Sequence, residues 1–300
     1  MSEVLVSISC ITYNHSAYIR QCLDGMLMQQ TTFDFEILIH DDCSTDGTDD
    51  IIREYASKYP QIIKPLFEEE NQYQQGKPIG TVVWNLPRAK GKYIALCEGD
   101  DYWIDPLKLQ KQVDFLESHP EYSMCFHAAE IKNETTTRII TTCQNIEEKE
   151  YFTNDIFPGW VVPTASVVYR RSMVDSFPPL KNAHWIKYGD IVLFLKCTHV
   201  GRVWGMKNQM SVYRMTSNGA VVSQCLDPKS EEKVCNHYRF LMMNFPQLDK
   251  KWPSEYIAQH YYTKFRNIKK MGYKLRYLYV AKRFSPCLVF DKLYSAIKRI

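Results

Sequence analysis

Hydrophobic residues in the first 120 positions follow two alternating patterns. Short runs rich in Val, Ile and Leu, bounded by turn-forming residues, are typical of buried strands. The predicted strands are Val4–Ile11, Phe35–His40, Ile62–Leu66 and Tyr93–Cys97. Between them apolar residues recur at helical spacing, which predicts helices beginning near Ile19, Thr48, Thr81 and Leu109. This alternation predicts an α/β fold, with a Rossmann-like, mostly parallel sheet flanked by helices.

Polar loops directly follow three of these predicted strands. The loops begin near Thr12, Asp41 and Glu98. Open parallel sheets bind their ligands beyond the carboxyl ends of the strands. We therefore expect the three loops to line one binding crevice.

The third loop is an acidic turn that contains Glu98, Asp100 and Asp101. Like charges placed together cost free energy unless a cation lies among them. Hard oxygen ligands in a tight turn suit Mg²⁺ or Mn²⁺, which proteins commonly share with a substrate phosphate. The alternative is a solvated acidic turn without a ligand, and the spacing by itself leaves both interpretations open.

The middle of the chain has a weaker pattern. A strand is predicted at Met124–His127, a polar and flexible excursion at Asn133–Glu150, and another strand within Val161–Arg170. A strand at Met210–Arg214 closes this region. Asp190 stands at the start of an apolar helix, where an aspartate is either a helix cap or a reactive carboxylate.

Composition describes a globular protein with a large core. The chain has 300 residues, 45% of them hydrophobic and 24% charged, enough for one large domain and an appendage. Its ten cysteines include no Cys-x-x-Cys pair, which favours reduced thiols over a zinc site or a disulfide scaffold. We find no apolar run of membrane-spanning length and no secretion signal, so we expect a cytoplasmic protein.

Charge is distributed unevenly along the chain. Residues 251–300 contain 12 Lys and Arg against two acidic residues, a balance of +10. The other 250 residues contain 25 basic and 32 acidic residues, a balance of −7. We accordingly predict a catalytic domain at residues 1–222 and a basic helical region at residues 223–300.

Three apolar stripes at helical spacing run through the basic region from Ile257 onward. One interpretation is that these helices pack on the acidic body of the protein. The other is that they lie at an anionic membrane surface, where a lipid-linked acceptor would be found. We do not expect nucleic-acid binding, because no known binding motif accompanies the charge.

Three motifs together resemble those of the family 2 glycosyltransferases. They are Ile8-Ser-Cys-Ile-Thr-Tyr-Asn14, Ile39-His-Asp-Asp-Cys-Ser-Thr-Asp-Gly-Thr48 and Ala95-Leu-Cys-Glu-Gly-Asp-Asp-Tyr-Trp103. The resemblance covers residues 4–222 and is closest to bacterial members that build capsular and other surface polysaccharides. It implies a GT-A fold, a nucleotide-sugar donor (UDP is the expected nucleotide), a divalent metal, and inverting transfer to a hydroxyl of a glycan or lipid-linked acceptor.

The resemblance assigns the first two loops to the nucleotide. Thr12, Tyr13 and Asn14 match the segment that packs on the nucleobase, with Tyr13 stacking on the ring. Asp41 matches the carboxylate that accepts a hydrogen bond from the uracil imide, and Asp42 would support the ribose or the loop. The alternative is that both acids only cap the helix that follows.

The resemblance also assigns the metal, the donor sugar and the base. Glu98 and Asp100 occupy the place of the Asp-x-Asp motif, which implies that they bind Mn²⁺ or Mg²⁺. Asp101 and Trp103 would contact the donor sugar, although core packing explains Trp103 equally well. Asp190 lies where similar proteins have the carboxylate that takes the proton from the attacking hydroxyl.

Two positions depart from the pattern of the family. Glu98 replaces the usual first aspartate, and Thr216 stands where many members have a histidine that reaches the metal. These departures keep a catalytically inactive nucleotide-sugar-binding scaffold open as an alternative. A sugar-nucleotidyltransferase is a further alternative, although the first loop lacks the glycines and basic residues that bind a triphosphate.

Overall fold

A mixed sheet with surrounding helices organises the protein. The computed structural model describes residues 3–77, 81–134, 140–159, 161–216, 230–268 and 271–297. The strands seen in these residues are β1 (Val4–Thr12), β2 (Asp34–Asp41), β3 (Ile63–Phe67), β4 (Tyr93–Leu96), β5 (Tyr102–Trp103), β6 (Tyr122–Asn133), β7 (Ile140–Cys143), β8 (Lys149–Glu150), β9 (Val168–Arg170) and β10 (Arg202–Met215). The helices are α1 (Ile19–Leu27), α2 (Thr48–Lys58), α3 (Thr81–Trp84), α4 (Lys108–Ser118), α5 (Thr153–Ile156), α6 (Arg171–Asp175), α7 (Gly189–Val200), α8 (Ser230–Asn244), α9 (Lys251–Asn267), α10 (Met271–Phe284) and α11 (Pro286–Ile297).

The first half of the sheet is parallel, with the strand order β3-β2-β1-β4. Its central strand β1 has no exposed surface at Val6, Ile8 and Cys10. Such burial is expected of a parallel strand that is covered on both faces. The structure confirms the four strands predicted for this part of the chain and the helices predicted near Ile19, Thr48, Thr81 and Leu109.

The second half of the sheet mixes parallel and antiparallel pairs. Strand β9 pairs antiparallel with β4 and β6, β6 runs parallel to β10, and β10 pairs antiparallel with β5. Strands β6 and β10 have 12 and 14 residues, so they are longer than the predictions at Met124–His127 and Met210–Arg214. The last four residues of β6 lack the apolar pattern of its first part, and they are only half-buried.

The prediction of a flexible excursion at Asn133–Glu150 is wrong where the structure describes it. Residues 140–143 form β7, which pairs antiparallel with β6, and residues 149–150 form β8, which pairs antiparallel with β10. Residues 135–139 lie outside the described residues. These strands have only four and two residues, which is too short for a hydrophobic pattern to reveal them.

Helix α1 lies directly against the short strand β5. Gly25 makes this contact possible, because a Cβ atom there would come 2.7 Å from the carbonyl oxygen of Trp103. Trp103 itself is a core residue, and Lys108 at the start of α4 is fully buried beside it. The Lys108 Nζ atom lies 4.0 Å from the centroid of the Trp103 ring and donates a hydrogen bond to Gln112. The segment between β5 and α4 is thereby fixed to the core.

The described residues divide into two compact units. The first contains those of Met1–Phe177 and Leu193–Gly219, and the second contains those of Pro178–Val192 and Ala220–Ile300. Residues 178–192, which we predicted as part of the first domain, therefore group with the C-terminal helices. The predicted domain boundary after residue 222 lies outside the described residues and stays a prediction.

The second unit is helical, as the sequence predicted. Helix α9 packs against α8, α10 and α11. Glu232 on α8 accepts a hydrogen bond from Lys264 on α9 at 2.7 Å and another from the Tyr261 hydroxyl. Burial alone would raise the pKa of Glu232, but these hydrogen bonds hold that pKa at about 2. Within the described part of the chain, no helix is both long and apolar enough to cross a membrane.

Candidate active site

Three loops meet at the carboxyl edge of β1, β2 and β4. Thr12 at the end of β1 lies opposite Asp41 at the end of β2. The Asp42 N–H donates to the Thr12 carbonyl at 3.1 Å, and the Gly99 N–H donates to the Ile11 carbonyl at 3.0 Å. Parallel pairing thus brings all three polar loops together, as the sequence predicted.

Side chains tie the first loop (residues 12–16) to the second loop (residues 41–48). The Asn14 N–H donates to the Ser44 hydroxyl, and the Asn14 side-chain oxygen accepts from the Thr45 N–H at 2.8 Å. Asn14 adopts a φ of 55°, a left-handed conformation that Asn tolerates better than most residues. The neighbouring Tyr13 remains 36% exposed, so its ring is available to a ligand.

Asp41 and Asp42 at the start of the second loop are buried and hold the loops in place. Both carboxylate oxygens of Asp41 accept hydrogen bonds from Ser44, and burial raises the pKa of Asp41. The Asp42 carboxylate accepts from the backbone N–H groups of Gln72 and Tyr73 at 2.8 and 3.2 Å. Asp41 therefore shapes the second loop, and Asp42 fixes the segment around residue 72 beside it.

The acidic turn (residues 98–101) is closed by a hydrogen bond from the Asp101 N–H to the Glu98 carbonyl at 3.0 Å. Glu98 is exposed, and the side chain of Asp100 is 20% exposed. The Asp101 side chain is fully buried, and burial followed by the charge of Asp100 raises its pKa well above the usual range. Its Oδ2 atom has no hydrogen-bond partner among the residues that the structure describes.

Arg214 near the end of β10 supports the acidic turn from behind. Its backbone N–H donates to Oδ1 of Asp101 at 2.9 Å, and its Nη1 donates to the Asp100 carbonyl at 2.7 Å. The buried guanidinium also lies over the rings of Tyr18 and Tyr102, at 5.1 and 4.4 Å from their centroids. The positive charge offsets part of the repulsion within the turn.

His15 lies beside the same turn. Its Nε2 atom is 3.9 Å from Oδ2 of Asp100, and its Nδ1 atom is 3.1 Å from the Thr12 hydroxyl. Only glycine fits at residue 99, because a Cβ atom there would lie 2.6 Å from that hydroxyl and 2.9 Å from Nδ1. This close approach brings the first loop against the acidic turn.

Trp103 does not present a ring face to this crevice. It is 1% exposed, its indole N–H donates to the Ala165 carbonyl at 2.8 Å, and Lys108 lies over its ring. The packing interpretation of Trp103 therefore fits the structure, and the sugar-stacking interpretation does not. Asp101 is equally buried, and its carboxylate accepts a hydrogen bond from the Arg214 N–H on β10.

Asp190 belongs to the second unit and lies in the first turn of α7. Its Oδ1 atom accepts a hydrogen bond from the Ile191 N–H at 2.8 Å. Burial raises the pKa of Asp190, while hydrogen bonds from Ile191 and from its own backbone N–H oppose the shift. A carboxylate with a raised pKa is a better proton acceptor than an ordinary surface aspartate.

Sequence reasoning missed the contributions of His15 and Arg214. Each contacts a residue far away in the chain, and local hydrophobic patterns carry no information about such contacts. The available signals were their positions in the sequence. His15 directly follows the Thr12-Tyr13-Asn14 motif, and Arg214 lies in the strand that closes the domain.

The donor set of the crevice suits a metal ion that is shared with a ligand. Within the described ranges, no group of three or more His, Cys, Asp and Glu side chains is arranged to hold an ion. Asp100 is a half-buried carboxylate that points beside an imidazole, and the neighbouring Asp101 oxygen lacks a partner. Mg²⁺ and Mn²⁺ commonly take one or two protein ligands and complete their shell with water and phosphate oxygens.

Sequence comparisons relate the chain to known proteins. The model of glycosyl transferase family 2 matches residues 7–177. An uncharacterised protein of Mycobacterium tuberculosis is 37% identical over 217 residues, which make up 71% of this chain. The match spans 60% of the length of that relative.

Two solved structures share the fold. Residues 1–349 of Staphylococcus aureus TarS, in complex with UDP-GlcNAc, match with a TM-score of 0.61 at 19% identity, over 94% of this chain and 80% of that chain. TarS is named a poly(ribitol-phosphate) β-N-acetylglucosaminyltransferase, and it is 32% identical over 109 residues, 36% of this chain and 18% of TarS. The mannosyltransferase PcManGT of Pyrobaculum calidifontis, in complex with GDP-Man and Mn²⁺, matches with a TM-score of 0.52 at 15% identity, over 98% of this chain and 75% of that chain.

Proposed function

This chain belongs to glycosyl transferase family 2, and we propose that it transfers a sugar from a nucleotide diphosphate donor to a hydroxyl of an acceptor. UDP is the proposed nucleotide, and a glycan or a lipid-linked saccharide of a bacterial surface polysaccharide, such as a capsule, is the proposed acceptor. The names of TarS and of its UDP-GlcNAc complex support this assignment by analogy.

The observation that carries the proposal is the convergence of three loops at one sheet edge. Thr12, Asp41 and Asp100 stand at or just beyond the ends of β1, β2 and β4. A nucleobase would lie on Tyr13 against the loop of Thr12 and Asn14, while Asp41 and Asp42 hold the second loop and the segment around residue 72 beside it. The diphosphate would then extend toward the acidic turn.

The acidic turn would hold a divalent cation, Mn²⁺ or Mg²⁺. Asp100 is the proposed ligand, and the exposed Glu98 would reach the ion directly or through water. When bound, such an ion offsets the negative charge that builds on the departing nucleotide diphosphate. Asp101 and Arg214 would keep the turn in the conformation that presents Asp100, and Asp101 would reach the donor sugar only through that turn.

Asp190 is the proposed general base. It would take the proton of the acceptor hydroxyl as that oxygen forms its bond to the anomeric carbon. The bond from the anomeric carbon to the phosphate oxygen breaks in the same displacement, so the configuration inverts and the nucleotide diphosphate leaves. The raised pKa of Asp190 supports its role as a proton acceptor.

The basic helical region would hold the protein at the inner face of an anionic membrane. Met271, Leu275 and Tyr279 recur every four residues on α10 and are 68%, 60% and 67% exposed. Lys274 and Lys282 lie on the same helix. Exposed apolar residues flanked by lysines are typical of helices that lie in the membrane interface.

Ligand-dependent unfolding followed by a turnover assay tests the proposed function. The full chain is heated with UDP-, GDP- and dTDP-sugars, with and without Mn²⁺. A donor should raise Tm by several degrees only with the metal, since a ligand that binds the native state stabilises it. The same donor should then release its nucleotide when an acceptor is added. Binding without any release would favour the inactive scaffold, and absence of binding would reject the proposal.

A further inference from the structure

His15 is the strongest candidate for a role that the proposed function does not assign. Its imidazole side chain is 23% exposed and lies beside Asp100. Its backbone N–H donates to the Thr48 hydroxyl at 2.8 Å, and Thr48 in turn donates to Asp46. The backbone that carries the imidazole is therefore held from the second loop.

The imidazole itself is oriented by Thr12. The Nδ1 atom lies 3.1 Å from the Thr12 hydroxyl, which leaves Nε2 on the side of Asp100. When Nδ1 carries the proton and donates to that hydroxyl, Nε2 presents its lone pair toward the carboxylate. A hydrogen bond on one ring nitrogen commonly fixes the tautomer in which the other nitrogen binds a metal.

The distance between the two side chains fits a shared ion. At 3.9 Å the Nε2 atom of His15 and the Oδ2 atom of Asp100 are too far apart for a hydrogen bond. Two ligand atoms that each lie ~2.1 Å from one metal ion are separated by ~3.0 Å at a right angle and by ~4.2 Å on opposite sides. The observed separation falls within that range.

We propose that His15 and Asp100 bind the same divalent cation, with His15 as a nitrogen ligand. This inference rests on the proposed function, because the remaining coordination positions would be taken by water and by the diphosphate of the donor. A mixed nitrogen and oxygen site favours Mn²⁺ or Co²⁺ over Mg²⁺ and Ca²⁺, which prefer oxygen ligands. Metal binding should tighten when UDP is present.

Electron paramagnetic resonance of Mn²⁺ tests the proposal without an activity measurement. The full chain is titrated with Mn²⁺ in the presence of UDP, and electron spin-echo modulation reports whether ¹⁴N is coupled to the bound ion. Wild type should show the ¹⁴N modulation. His15→Gln should lose it and bind Mn²⁺ about 10–100-fold more weakly, while His184→Gln, at an exposed histidine of the second unit, should match wild type.

The possible outcomes separate this inference from the proposed function. If His15→Gln keeps the ¹⁴N modulation, or if wild type binds Mn²⁺ without it, His15 is not a ligand. In that case, loss of Mn²⁺ binding in Asp100→Asn would still support the proposed metal site. If wild type binds no Mn²⁺ with UDP, both ideas are rejected. Tm and the far-ultraviolet circular dichroism spectrum, measured for every variant without metal, show whether His15→Gln is folded.

Discussion

The backbone N–H of Arg214 donates a hydrogen bond to the carboxylate of Asp101, across 113 positions of sequence, at 2.9 Å. The Arg214 side chain extends the same contact to the Asp100 carbonyl. Strand β10 therefore fixes the backbone of the acidic turn, and the Arg214 guanidinium places a buried positive charge next to that turn.

We expect Arg214→Met to lower the free energy of unfolding by about 3 kcal/mol, because it removes hydrogen bonds of a buried cation and takes the nearby positive charge away from the acidic turn. Urea denaturation measures this loss. Arg202→Met on the same strand is the matched control, since Arg202 is half-exposed and its ion pair with Glu150 lies at the surface. Equal losses in the two variants would contradict the role given to Arg214.

Lys108 should make the stability of the protein depend on pH in a specific direction. Burial lowers the pKa of Lys108 from 10.5 to about 7, although Cys97 and Cys125 oppose the shift. As the pH falls from 10.5 toward 7, the unfolded chain binds a proton that the folded chain does not bind. Lys108 therefore lowers the free energy of unfolding as the pH falls over that interval, and its effect does not grow further below pH 7.

We expect Lys108→Met to remove this dependence. The free energy of unfolding of the variant, relative to wild type, should rise by up to about 1.4 kcal/mol for each pH unit between pH 9.5 and 7. Urea denaturation at several pH values gives the difference. Lys111→Met, at an exposed position of the same helix, should follow wild type at every pH. Parallel curves for wild type and Lys108→Met would mean that Lys108 stays charged in the fold.

Whether a feature of this site could be predicted depends on how far apart in the sequence the contacting residues lie. The convergence of Thr12, Asp41 and Asp100 was predictable, because strand alternation predicts parallel neighbours and parallel strands end at one edge. The support from Arg214 was not, since it depends on where β10 lies in the sheet. Trp103 shows a further limit, because an aromatic residue after an acidic turn fits packing and binding equally well until its burial is known.

The same reasoning explains the errors outside the site. Strands β7 and β8 have only four and two residues, so their pairing with β6 and β10 leaves no recognisable pattern in the sequence. The apolar stripes of the basic region were predicted, but whether another surface covers them was left open, and Met271, Leu275 and Tyr279 on α10 are more than half exposed. Helical spacing shows which residues share a face but does not show whether another surface covers that face.

Metal removal should abolish sugar transfer. We expect EDTA to reduce nucleotide release by at least about 10²-fold and Mn²⁺ to restore it, because the ion would offset the negative charge that builds on the leaving diphosphate. Asp100→Asn should cause a similar loss that added Mn²⁺ does not restore. Asp105→Asn is the control, because that carboxylate bonds to Lys111 outside the turn. Undiminished release by Asp100→Asn would rule out Asp100 as the essential ligand.

Asp190→Asn should lower kcat by about 10²–10⁴-fold, since an amide cannot accept the proton of the acceptor hydroxyl. The affinity for the nucleotide-sugar should stay within about twofold, because the base acts on the acceptor. In wild type the rate should fall on the acid side with an apparent pKa above the ~3.9 of an ordinary aspartate, as the raised pKa of Asp190 requires.

Asp249→Asn is the control for Asp190, because Asp249 also lies in the second unit and is exposed. Its kcat should equal that of wild type. If Asp190→Asn retains more than a tenth of the wild-type kcat, another group is the base. If wild type binds donor and releases no nucleotide with any acceptor tried, the inactive scaffold becomes the better interpretation.

Leu275→Glu should weaken binding to anionic membranes by about tenfold. The substitution places a charge among the exposed apolar residues of α10 and adds negative charge beside the lysines that face anionic lipid. Flotation of the full chain with vesicles that contain phosphatidylserine measures the bound fraction. Phe152→Glu is the control, because Phe152 is 62% exposed but lies in the first unit.

Wild-type binding should also fall in 0.5 M salt and on neutral vesicles, because the attraction of basic residues is screened beyond a Debye length. Equal flotation of wild type and Leu275→Glu would instead mean that α10 does not contact the lipid.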